Sequence, residues 1–147
     1  MFKNILVPTD GSELSSATVT RAVTFAKEAG ARITFFYAQP DFPMPIYGEG
    51  ALIDPTTPDQ FSRAAAAEAI VILDKAAAAA AAEGVASSTD TVVSEVPYEA
   101  IIEASARNNC DLIFMASHGR RGLSGFLLGS ETQKVLTHSK IPVLVYR

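Results

Sequence analysis

Residues 111–138 read DLIFMASHGRRGLSGFLLGSETQKVLTH. The first six are almost wholly apolar and of strand length, with Leu112, Ile113, Phe114 and Met115 at the centre. Such a run predicts a strand covered on both faces, as in a parallel sheet flanked by helices. Gly119, Gly122, Gly125 and Gly129 punctuate the segment that follows. Ser130–His138 then reads as a short helix, with Ser130 and Gln133 as a capping box.

The same alternation continues in both directions. Upstream, Pro97 opens a helix over 97–108 that carries Ile101, Ile102 and Ala104. Residues 88–93 form a half-polar strand suited to a sheet edge. Thr57-Pro58-Asp59-Gln60 is a second capping box, opening an alanine-rich helix to about Glu83 that Gly84 stops. Residues 39–57, with Pro40, Pro43, Pro45 and Pro55, are too long for a plain connector and read as functional or mobile. Before them come a strand at 32–38, a helix at 12–29 and a strand at 3–9. Val19, Ala22, Val23 and Ala26 share one face of that helix, between Ser12 as N-cap and Gly30 as stop. Downstream, 143–146 is a last apolar strand.

The order βαβαβαβαβ predicts one α/β domain over 1–147. Its expected core is an open five-stranded parallel sheet of order 3-2-1-4-5, with helices on both faces. In that order the loops after strands one and four meet at the switch in winding direction, where open α/β sheets bind ligands. The first loop is Pro8-Thr9-Asp10-Gly11. The second runs from Ala116 through Ser117, His118, Gly119, Arg120, Arg121 and Gly122. Glycines permit close backbone approach, and the free N–H groups of a helix start attract anions. Arg120, Arg121 and the Ser130 and Thr132 hydroxyls add donors, and Asp10 suits a ribose hydroxyl. These residues suggest a nucleotide with its base near Ala38. Turn chemistry and a simple helix cap at Asp10-Gly11-Ser12 explain the same residues without a ligand. No Walker A loop and no G-x-G-x-x-G occurs.

Composition narrows the classes. The chain has 147 residues, 48% of them apolar, and a net charge of −4. That charge disfavours a general nucleic-acid binder. The acid excess lies before residue 116, because from there onward five basic residues face only Glu131. A signal peptide and a membrane span are not expected from the apolar runs, and the lone Cys110 fits a reducing, cytoplasmic setting. His118 and His138 lack metal-site spacing, Cys110 reads as a small buried hydrophobe, and Gly122-Leu123-Ser124-Gly125 is not a nucleophile elbow. Glu99 and Glu103 suit a helix start rather than a catalytic pair.

These features together resemble the universal stress proteins of the small, single-domain type. The resemblance spans the opening Ile5-Leu6-Val7-Pro8-Thr9-Asp10-Gly11-Ser12, the strand array, the stretch from Met115 to Ser130 and the ending Pro142-Val143-Leu144-Val145. ATP-binding members carry G-x2-G-x9-G-[ST] after the fourth strand. Here Gly119 and Gly129-Ser130 match, and Ala116 stands at the first glycine. Alanine there adds one methyl; a positive φ would cost about 1 kcal/mol, and extended geometry would cost little. The resemblance implies a Rossmann-like, adenine nucleotide alpha hydrolase-like fold. It implies that Pro8, Thr9 and Asp10 meet the adenosine and that the Ala38 backbone meets the base. Met115, Ala116, His118, Gly119, Gly129, Ser130, Glu131 and Thr132 would line the phosphate loop. The ligand so implied is ATP or AMP, with or without magnesium.

The family also implies a homodimer through the last strand, Val143–Tyr146, where an apolar edge needs cover. The leading expectation is a cytoplasmic, dimeric nucleotide-binding regulatory module that is not primarily an enzyme. It has no nucleic-acid partner, no membrane insertion and an unspecified downstream protein partner. The alternatives are a dimeric interaction module without nucleotide, and a slow ATPase or self-phosphorylating protein.

Overall fold

The computed structural model describes residues 1–43, 57–119 and 128–147. Its strands are β1 (Asn4–Pro8), β2 (Arg32–Gln39), β3 (Ser87–Val93), β4 (Leu112–Ala116) and β5 (Val143–Tyr146). Its helices are α1 (Glu13–Ala29), α2 (Thr57–Ala82), α3 (Pro97–Arg107) and α4 (Ser130–His138). All strand pairs are parallel, and the sheet order is β3-β2-β1-β4-β5, as expected.

Side chains of successive residues point to opposite faces of the sheet. Ile5, Val7, Ile33, Phe35, Leu112 and Phe114 therefore pack under α1 and α2. Leu6, Phe36, Ile113 and Met115 pack against α3 and α4, together with Ile101, Ala104 and Val135. Both faces of the central strands are covered, which explains their unbroken apolar runs. The half-polar β3 lies at one edge and the apolar β5 at the other.

The helix ends follow their sequence signals, with one-residue shifts at several boundaries. Ser12 caps α1 by accepting from Ser15 N at 3.2 Å, and Gly30 ends it at φ 67°. Gly84, at φ 71°, turns the chain after α2, and Val85 N donates back to Ala80 O at 2.9 Å. Thr57 is already helical, one residue earlier than a capping role at that position requires. At α4 the expected Ser130–Gln133 box does not form. The N-cap is Gly129, which has no side chain to offer, and Gln133 Nε2 instead donates to Leu128 O at 2.9 Å. Most of the loop placed at 39–57 lies outside the described residues, as do Arg120, Arg121, Gly122, Ser124 and Gly125.

Cys110 is buried, and burial pushes its thiol above the ordinary range, which fits a packing role. Among the described residues no helix is long and apolar enough to cross a membrane. Phe114, 2% exposed, bridges the sheet to Phe25 of α1 at a ring-centroid distance of 5.7 Å. Phe114→Ala is expected to cost about 3–5 kcal/mol in urea unfolding, with the native fold retained at low urea.

Candidate functional site

At the carboxyl edge of the sheet, β1 runs into Thr9-Asp10-Gly11 and β4 into Ser117-His118-Gly119. Thr9 continues the line of β1 by donating its N–H to Phe36 O at 2.8 Å. Its hydroxyl is buried and shares a 2.7 Å hydrogen bond with the Ser15 hydroxyl, which also accepts from Asp10 N at 3.1 Å. Asp10 Oδ1 accepts from Ser12 N at 2.9 Å, and Gly11 takes φ 77° between them. Asp10 is thus fixed by α1, so the helix-cap reading of Asp10-Gly11-Ser12 holds as local structure.

Its other carboxylate oxygen meets the second loop. A Cβ on Gly119 would lie 2.7 Å from Asp10 Oδ2, inside contact distance. Glycine lets the β4 exit touch the carboxylate of the β1 exit. Gly129 does a similar job on the other side. Its backbone is extended (φ −61°, ψ 151°), so positive φ is not the reason for glycine. A Cβ there would stand 3.0 Å from His118 Cα and 3.3 Å from Ser117 O. The missing side chain lets Gly129 N donate to Ser117 O at 2.8 Å, which joins both ends of the intervening segment.

This junction places the start of α4 beside His118. Among the described residues no side chain caps α4, and the N–H groups of its first turn lie at this edge. Thr132 is buried, and its hydroxyl is committed to Ala116 O at 3.1 Å, which ties α4 to β4. Ser130 is exposed. Ser117 is buried and donates its N–H to Tyr146 O at 2.8 Å, and its hydroxyl lies 3.2 Å from His118 Nδ1. Ala116 is the last residue of β4, and its φ is not positive. The change from glycine is therefore one methyl, without a left-handed conformation to maintain.

The other predicted positions separate into two groups. Pro8 ends β1 opposite Phe36, and Met115 is 5% exposed on the α3–α4 side of the sheet. Ala38 is half-buried and two residues beyond Phe36, so its backbone polar groups face the β1 side of β2 where β1 has ended. Glu131 goes elsewhere: its Oε2 accepts from Tyr98 N at 2.8 Å, and its Oε1 lies 3.4 Å from Lys134 Nζ. It caps α3, whose own N-cap residue Val96 supplies no side-chain bond. At the α4 start Glu131 therefore contributes backbone only.

Ser15 and Ser117 support the site from below, and neither was singled out from sequence. Ser15 had a readable signal, since it is a polar residue four positions before Val19 on the apolar face of α1. Among the described residues no group of three or more His, Cys, Asp and Glu side chains converges in a metal-binding cluster.

The fold and this edge define an α/β protein with an anion-ready helix start set against an aspartate at the switch point. The universal stress protein family model matches residues 1–147, and the chain belongs to that family. A universal stress protein of Methanocaldococcus jannaschii is 31% identical over 150 residues, covering 100% of this chain and 83% of that protein. A universal stress family protein from Burkholderia pseudomallei superposes with a TM-score of 0.77 at 28% identity, covering 98% of this chain and 95% of the other. A universal stress protein solved in complex with cAMP superposes with a TM-score of 0.71 at 28% identity, covering 99% and 97%.

Removing the α3 cap with Glu131→Ala is expected to cost about 1 kcal/mol in urea unfolding. Glu131→Gln, which keeps an acceptor, should cost less than half of that.

Proposed function

We propose that this chain binds adenine nucleotide, ATP or AMP, as a regulatory module that works as a homodimer in the cytoplasm. The observation that carries the reading is the wall formed by Asp10, Gly119, His118 and the start of α4, which no side chain among the described residues caps. Two ends of one ligand have matching chemistry there. Asp10 accepts from ribose hydroxyls through its carboxylate, while the N–H groups of Ser130, Glu131 and Thr132 receive phosphate oxygens. Pro8, Thr9, Met115 and Ala116 form the floor, and the Ala38 backbone reads the base. The complex of a relative with cAMP supports a nucleoside phosphate as the ligand class. Magnesium enters only with the phosphates of ATP. The chain's role is binding, and phosphate release should not exceed that of a Gly129 variant.

The dimer reading rests on β5. Tyr146 O and Pro142 O both face β4, so the backbone groups of Val143 and Val145 face outward from the sheet edge. A second β5 would satisfy them across a two-fold axis.

Calorimetric titration with ATP and AMP tests the ligand. Binding at micromolar to low millimolar concentration is expected, with at least a tenfold loss in Asp10→Ala and in Gly129→Val. No heat at millimolar nucleotide from folded protein overturns the reading. Val145→Pro removes one outward N–H without touching the β4 ladder. It is expected to lower the β5-mediated mass measured by light scattering, and an unchanged mass contradicts the β5 dimer.

A further inference from the structure

The solvent face of α2 carries a second apolar seam. Arg63, Ala67, Ile70, Asp74, Ala77 and Ala81 recur at spacings of 4, 3, 4, 3 and 4, the heptad spacing of a coiled-coil stripe. This line is separate from the buried one, which uses Ala65, Ala69, Ile72, Leu73, Ala76 and Ala80. Every seam residue is exposed except the half-buried Ala77. Ile70 is 61% exposed and the flanking Val71 68%, two β-branched apolar side chains left in water. Arg63 and Asp74, the charges on the seam, form no ion pair or hydrogen bond with any described residue.

We propose that a second copy of this chain packs on this face, α2 against α2, antiparallel about a two-fold axis passing between residues 68 and 69. That register sets Ala67 opposite the partner's Ile70, a small residue facing a large one, and repeats the pair across the axis. It also sets Arg63 opposite the partner's Asp74, again twice. The charges choose the direction. A parallel pair would put Arg63 against the partner's Arg63 and Asp74 against the partner's Asp74, two repulsive contacts in place of two attractive ones. Ala67 and Ala77, which in this register face the partner's Ile70 and Gln60, let the helix axes approach to the short end of the usual 8–10 Å range. The contact is independent of the nucleotide reading. It is also remote from β5, because α2 lies over β2 and β3 and β5 is at the opposite edge of the sheet. Both two-folds can therefore operate in one assembly.

Sedimentation equilibrium of the full chain across a concentration series tests this with charge reversal at exposed positions. Arg63→Asp and Asp74→Arg should each weaken one association step by about tenfold. The double variant, Arg63→Asp with Asp74→Arg, should return it to within about threefold of wild type. Single variants that associate like wild type overturn the proposal. So does a double variant as weak as the singles, or a wild-type chain whose whole self-association is lost in Val145→Pro. Survival of the α2 step in Val145→Pro supports it, whatever becomes of the β5 dimer.

Discussion

The close contact of Gly129 with the backbone of His118 sets the geometry of the whole carboxyl edge. It brings the first turn of α4 onto the exit of β4 and ties the two ends of the intervening loop through Gly129 N and Ser117 O. Thr132 and Tyr146 complete the bracing from α4 and β5. One residue further along, Gly119 touches the Asp10 carboxylate, so the β4 exit is also registered against β1. A side chain at Gly129 would crowd the backbone of Ser117 and His118, and one at Gly119 would displace the Asp10 carboxylate. Glycine acts here through its small size rather than through its backbone freedom, which the extended φ of Gly129 does not use.

The charge pattern fits a small anionic ligand better than a long one. Net charge is −4, and an aspartate borders the same edge that carries the helix start. A polyanion would meet that carboxylate repeatedly. In the proposed binding mode a mononucleotide separates its ends, with sugar hydroxyls toward Asp10 and phosphates toward α4. One basic residue in the last part of the chain has other work: Lys134 pairs with Glu131 and lies 5.4 Å over the Tyr98 ring. The excess of positive charge after residue 116 is therefore only partly available to a ligand.

Much of the fold was legible because each element carried a local and a global signal that agreed. The apolar run around Phe114, the Gly30 and Gly84 stops and the half-polar β3 each predicted what packing then required. Strand order followed from the alternation of elements and the edge character of β3. The start of α4 was misread because Ser130 and Gln133 match a capping box in spacing, whereas the close approach of Gly129 to His118 moves the cap one residue earlier. Glu131 was placed at the phosphate loop by position, but its carboxylate answers a long-range need, the uncapped N–H of Tyr98 33 residues away. No local pattern records such a partner. Ser15 and Ser117 escaped for a related reason, since buried hydroxyls acquire meaning only when their neighbours are known.

The central claim is that one wall, built from the β1 exit, the β4 exit and the α4 start, holds adenine nucleotide. Backbone amide shifts of the isotope-labelled chain, followed by NMR during an AMP titration, test it most directly. The account predicts saturable shifts concentrated at Thr9–Gly11, Ala38, Ser117–Gly119 and Gly129–Thr132, with α2 unmoved. Shifts clustered elsewhere, or none at saturating nucleotide, would contradict it.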